Sequence, residues 1–238
     1  MSDSVERRPV CVVAGVGPGN GEAFARRFAA EGYAVALLAR RKDRMETLAA
    51  ELPNARAIAC DVTDAASVES AFAAVEAELG SVEVLIYNAG KGVWGDVEKV
   101  SLGDFEEAWR VNSLGLFLTA RCVIPSMTAA GHGAIVVVGA TASLRGMAGT
   151  AAFASAKAAQ RSLTQSFARH LWTKGIHVSL IIIDGVVGGP DTRKMILDRP
   201  DEFFVKPAAV ADTALALVRQ DRSAWSFEVE ARPFGEKW

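Results

Sequence analysis

Short apolar runs rich in β-branched residues recur along the chain, and Ala-rich stretches whose apolar positions return every three to four residues separate them. The runs are "PVCVVAG", "AVALLAR", "ARAIACD", "VEVLIYNAG", "GAIVVVGA", "HVSLIIIDG" and "AWSFEVEAR". Most lack the polar alternation of a half-exposed sheet, so they predict strands covered on both faces. The intervening periodic stretches predict helices near residues 21–31, 42–52, 65–79, 102–130, 151–174 and 207–219. Strand, helix and parallel strand in succession make a right-handed β-α-β unit. Seven such strands predict an α/β protein, a doubly wound parallel sheet with helices on both faces.

Nothing breaks this alternation into parts. The 238 residues show no repeat, low-complexity segment or composition shift, so one domain spanning 1–238 is expected. One stretch, residues 184–206, is rich in turn formers and charge. Loops at strand C-termini line the ligand crevice of an open α/β sheet, which makes this stretch a candidate substrate lid.

Composition narrows the classes. With 26 basic and 28 acidic residues and no long run of either, the chain offers no footprint for nucleic acid or an anionic membrane. The N-terminal "MSDSVERRPV" has no signal-peptide core, and no unbroken apolar run approaches the roughly 20 residues of a spanning helix. A cytoplasmic protein is expected. Cys11, Cys60 and Cys122 are widely spaced in apolar surroundings, the pattern of reduced core thiols and not of a metal site.

The first candidate chemistry lies in "VVAGVGPGNGEAFARRF", which joins the first strand to the first helix. Gly15, Gly19 and Gly21 allow a sharp turn and close backbone approach, and the unpaired amides of a helix N-terminus can then meet a pyrophosphate. A plain tight turn is the alternative. At the end of the second strand, where NAD enzymes carry an acidic residue, the chain reads "LLARRKDR". Arg40 or Arg41 can pair with a 2′-phosphate, worth roughly 1.5–3 kcal/mol or about 10- to 150-fold in favour of NADP(H). The bland alternative is a pair of solvated arginines at a strand end.

The glycine spacing G-x-x-x-G-x-G resembles that of the short-chain dehydrogenase/reductase family, and further motifs follow in that family's order. "CDVTD" presents Asp61 and Val62, "NAG" presents Asn88, Ala89 and Gly90 with Tyr87 before them, "WRVNSLGLF" presents Asn112, and "FASAK" presents Lys157. The resemblance spans nearly the whole chain and implies a Rossmann fold. It also implies adenine contacts at Asp61 and Val62, a nicotinamide-ribose contact at Lys157, a small-molecule substrate and assembly as a homodimer or homotetramer.

The same resemblance exposes a defect. Family members move a proton with a Tyr four residues before the Lys, assisted by a Ser and by an Asn that anchors a water chain. The Tyr position here is Phe153 and the Ser position is Ala140. Thr141, Ser143 and Ser155 are nearby hydroxyls, but an aliphatic hydroxyl is a poor proton donor at neutral pH. Tyr33 falls at the wrong end of the sheet, Tyr87 lies beside Asn88 and is at most a remote alternative donor, and His132, His170 and His177 fall away from Lys157. Asp184 stands where the family has a Pro near the nicotinamide; it is either an acid or a loop cap. Arg145, Arg193 and Lys194 suit an anionic substrate if they overhang the site, and otherwise are solvated charge. Two functions remain open: an NADP(H)-dependent oxidoreductase of atypical mechanism, or a catalytically silent NADP(H)-binding sensor or subunit partner.

Overall fold

The apolar runs assemble as the pattern predicts. In the computed structural model, which describes residues 8–235, strands β1 (Val10–Ala14), β2 (Ala34–Ala39), β3 (Ala55–Ala59), β4 (Val82–Tyr87), β5 (Gly133–Ala140) and β6 (Ile176–Ile183) are parallel members of one sheet. The N-terminal residues 1–7, which hold most of the stretch read above for a signal peptide, lie outside the described residues. The last strand of the sheet is β9 (Glu228–Ala231), after two short strands outside it, β7 (Val186–Val187) and β8 (Phe204–Val205). The order of the seven strands is β3-β2-β1-β4-β5-β6-β9.

Residues of the central strands are buried on both faces, which is why those runs show no alternation of polarity, while the edge strands β3 and β9 are partly exposed. Val10, Val12 and Ala14 face one core, Cys11 and Val13 the other. The first core is closed by helices α3 (Ala65–Glu78), α5 (Gly115–Ala130) and α6 (Ala151–Leu171). The second is closed by α1 (Asn20–Ala30), α2 (Lys42–Glu51) and α8 (Pro207–Val218). The order reverses at β1, whose neighbours are β2 and β4, so a crevice opens beyond the C-terminal ends of β1 and β4.

The stretch expected as one helix over 102–130 departs from regularity. It runs as α4 (Leu102–Trp109), a π-turn at Arg110–Leu114, and α5. Such a turn widens the helix and frees carbonyl groups, often at functional sites. Two of them take side-chain donors here: Val111 O from the Tyr87 hydroxyl and Asn112 O from Gln160 Nε2. Leu102–Ala130 is long and apolar enough to cross a membrane by length and composition, with a mean hydropathy of 1.3 in its most apolar window. Within the fold it is a core helix, since Leu116, Ala120, Val123 and Met127 pack against the sheet.

Residues 184–206 are not an open loop. They fold into β7, the short helix α7 (Pro190–Met195) and β8, with Val186 paired to Phe204 and Val187 to Val205. Pro190 and Pro207 each start a helix, where a missing N–H costs nothing.

Candidate active site

The glycine turn is held by both neighbouring strands. Gly15 and Val16 N–H donate to Leu38 O, and Asn88 Nδ2 donates to Gly15 O at 2.7 Å. Gly15 has φ of +98°, and a Cβ there would lie 2.4 Å from Ala89 N. A Cβ on Gly21 would lie 2.5 Å from Gly15 O, so α1 starts directly against the turn. Only glycine satisfies both positions. The crevice beyond has a volume of about 680 Å³. Its wall includes Gly15, Gly21, Arg40, Arg41, Asp61, Val62, Asn88, Ala89 and Gly90, the positions expected for a cofactor.

At the far end of the crevice, Arg40 and Arg41 are exposed and are joined by Arg44. Asp43 also lines this end, which therefore carries three arginines and one acidic residue. Asp61 is held by Thr63, whose backbone N–H and hydroxyl donate to Oδ1 at 2.9 and 2.7 Å. These bonds hold the Asp61 carboxyl below its ordinary value.

Lys157 lies on α6 at the inner end. A Cβ on Gly90 would stand 3.9 Å from Lys157 Nζ and 3.4 Å from Asn112 Oδ1. Nζ donates to Val138 O and to Gln160 Oε1, each at 2.9 Å, and Gln160 Nε2 donates to Asn112 O at 2.9 Å. Burial pushes the Lys157 amine down to about 7. Asn112 is fully buried; its Nδ2 donates to Lys91 O and Ala108 O, which leaves Oδ1 buried with no partner. An orphaned acceptor beside Gly90 and a glycine cradle with no room for a Cβ both fit an elongated dinucleotide in this crevice.

Gln160 was not singled out from the sequence. It lies three residues beyond Lys157 on the same helical face and is fully buried. A polar residue in the apolar repeat of α6 was the available signal.

The proton-transfer positions hold no donor. Phe153, half-buried on α6, packs against Trp94 with ring centroids 5.1 Å apart, and Ala140 ends β5 opposite Ile183. Ser143 Oγ accepts from Ala140 N–H at 3.2 Å and is buried. The Thr141 hydroxyl donates to Asp184, and the Ser155 hydroxyl donates to Ala152 O. Asp184 is also ion-paired with Arg232, and its own N–H donates to Ala231 O. The carboxylate is therefore committed as an acceptor, a cap at the end of β6. Of the two roles open for it, this geometry matches the loop cap. Tyr87 is fully buried, donates to Val111 O, and has its phenol pushed upward by burial.

The anionic-substrate candidates separate. Arg193 is used within its own segment, paired with Asp201 at 2.5 Å and stacked over Phe204 at 4.6 Å. Arg145 and Lys194 are exposed. The segment touches the glycine turn at its start, since a Cβ on Gly189 would lie 3.0 Å from Pro18 O.

A glycine-turned crevice at the switch point of a parallel sheet, with Lys157 and Asn112 at its inner end, defines a nucleotide-binding α/β protein of the dehydrogenase type. Comparison makes this specific. Residues 9–195 match the family model for short chain dehydrogenases, and the chain belongs to that family. It is 32% identical over 221 residues to oxidoreductase asL5 of Sarocladium schorii, covering 89% of each protein. A solved short-chain dehydrogenase from Rhodopseudomonas palustris is 35% identical, with a TM-score of 0.82 over 96% of this chain and 100% of that one. An alcohol dehydrogenase from the archaeon Thermococcus sibiricus, complexed with 5-hydroxy-NADP, is 28% identical, with a TM-score of 0.87 over 97% and 98%.

Proposed function

We propose that this chain is an NADP(H)-dependent oxidoreductase whose crevice binds the dinucleotide in the family manner but whose site lacks the family's proton donor. The observation that carries the reading is the pairing of a glycine-turned crevice with an empty donor position: Gly15 and Gly21 fold the turn tightly against Asn88 and Ala89 and line the crevice, Lys157 is retained, and Phe153 stands one helical turn before it. Arg40, Arg41 and Arg44 favour a 2′-phosphate over the single carboxylate of Asp43. The NADP analogue in the Thermococcus sibiricus relative supports the same choice.

Bound NADPH supplies a hydride. The chain's own residues orient it: Asn112 Oδ1 offers an acceptor near Gly90, and Lys157 Nζ offers donors to ribose hydroxyls once released from one of its two carbonyl partners. Thr141 and Ser155 spend their protons on Asp184 and Ala152 O, and Ser143, which accepts from Ala140 N–H, is a buried aliphatic hydroxyl and a poor acid, so reduction of an ordinary ketone falls by roughly 10²–10⁴ relative to a site with a positioned acid. A catalytically silent NADP(H) sensor or subunit partner is the second reading, favoured by the same loss at Phe153 and Ala140. Assembly as a homodimer or homotetramer in the cytoplasm belongs to both.

Calorimetric titration with NADPH and NADH tests the binding, and single-turnover absorbance of bound NADPH against a carbonyl panel separates the two readings. Tight NADPH binding with oxidation above the buffer rate is expected. Binding without oxidation of any acceptor selects the sensor, and no binding of either dinucleotide overturns both.

A further inference from the structure

A site that delivers hydride without a proton donor restricts its acceptor. Hydride addition to a saturated ketone leaves an alkoxide, far too basic to persist without an acid beside it. Most hydroxyls around the cleft are committed elsewhere: Thr141 donates to Asp184, Ser155 to Ala152 O, Thr150 to Met147 O and Tyr87 to Val111 O, while Ser143, which accepts from Ala140 N–H, is a buried aliphatic hydroxyl too weakly acidic for the role. An acceptor that becomes a delocalised, weakly basic anion needs no such acid.

The walls carry a second, independent restriction. Trp94 is 70% exposed although it is among the largest apolar side chains, and its indole packs on Phe153 with the rings tilted by 48°. It is held there by its loop, because Gly95 N–H donates to Gly149 O at 2.9 Å and Gly95 bridges Thr150. The adjoining loop exposes Met147 at 71% and Leu144 at 47%. Exposed aromatic and apolar groups gathered around the first turn of α6, the helix that carries Lys157, mark a ligand surface and are not required by the fold. An electron-rich indole beside a phenyl ring suits offset stacking with a flat, electron-poor partner.

Resting on the NADP(H) reading above, we propose that the substrate is a planar quinone, stacked on the Trp94 indole beside Phe153 and reduced by two electrons. The quinone takes the hydride with its electron pair from reduced nicotinamide. A C–H bond of the nicotinamide breaks, an O–H bond forms on the quinone, and the nicotinamide is oxidised by two electrons as the quinone is reduced by two. The hydroquinone monoanion then takes its second proton from water. Phe153 contributes stacking surface where a tyrosine would contribute acid.

The test uses menadione as the quinone and a saturated bicyclic ketone of similar size as the control. Menadione binding to the protein without cofactor is read by ligand-observed NMR, NADPH binding by calorimetry, and NADPH consumption by absorbance above the buffer rate. The expected results are menadione reduction at least 100-fold faster than ketone reduction and a solvent isotope effect near one. Trp94→Ala is expected to weaken menadione binding about tenfold or more while NADPH affinity stays within about twofold. Equal rates for the two acceptors, or equal menadione binding by Trp94→Ala, overturn the quinone proposal and leave the NADP(H) reading standing. Failure to bind NADPH overturns that reading and the reduction with it.

Discussion

Replacing Gln160 with leucine removes a side chain that bonds both Lys157 and the π-turn. Its Oε1 accepts from Lys157 Nζ at 2.9 Å and its Nε2 donates to Asn112 O at 2.9 Å, both in the protein interior. A hydrogen bond to a charged group is worth about 1.5–3 kcal/mol and one to a neutral group about 0.5–1.5. Losing the acceptor therefore disfavours the charged lysine by about 1 kcal/mol, or about 0.7 of a pH unit at 1.36 kcal/mol per unit. Lys157 starts from about 7, so its titration moves further down. Leaving Asn112 O unpaired adds about 1–3 kcal/mol of destabilisation, which at this chain length lowers Tm by about 2–12 °C. Gln160→Glu has the opposite sign, because a buried carboxylate beside Nζ raises the lysine's proton affinity. The charged pairs at the rim, Lys91–Glu107 and Asp184–Arg232, are untouched by either change. The assay is a lysine-labelled NMR titration of the protein without cofactor, with the Lys157 signal assigned by its loss in Lys157→Met. Midpoints within about 0.2 of the parent in both variants would refute the reasoning.

Because the folded-state value of Lys157 is depressed, the unfolded chain binds more protons between about pH 7 and 10.5, and this residue's contribution to stability rises with pH across that window and is lost as pH falls. Denaturant unfolding should show the rise in the parent relative to Lys157→Met; the buried thiols Cys11 and Cys60 contribute with the opposite sign above about pH 8.5 in both proteins and cancel in the difference. Arg40→Asp with Arg41→Ala should erase or reverse a preference for NADPH over NADH of roughly 10- to 150-fold, and equal affinities in the native protein would reject the assignment. Light scattering at micromolar concentration should give a dimer or tetramer, disrupted by Phe117→Asp on the exposed face of α5, whereas a monomeric parent would contradict the assembly.

The sheet was legible because its central strands are short, mostly aliphatic runs bounded by polar or glycine-rich turns, and a strand buried on both faces has no other way to read, whereas the edge strands β3 and β9 carry Arg56, Glu228 and Glu230. The glycine turn, Arg40 and Asp61 were legible for a related reason, since each lies at a fixed step after a strand. The π-turn at Arg110–Leu114 was not, because its cause is tertiary: it accompanies donors from Tyr87 and Gln160, on other elements. Arg232 was missed likewise; its pairing with Asp184 joins residues 48 positions apart, beyond any local pattern. The segment 184–206 looked like a loop because its strands are two residues each and its helix six, too short for periodicity to register.

The central claim is that the cofactor machinery is intact and the proton donor is missing. Phe153→Tyr with Ala140→Ser restores the absent groups one helical turn from Lys157, whose burial and amine can tune the new phenol. The direct measurement is single-turnover oxidation of bound NADPH by a saturated ketone in the parent and in this double variant. The expected gain approaches two orders of magnitude, about 2.7 kcal/mol of barrier, at unchanged NADPH affinity. A parent that reduces the ketone as fast as the double variant would contradict it.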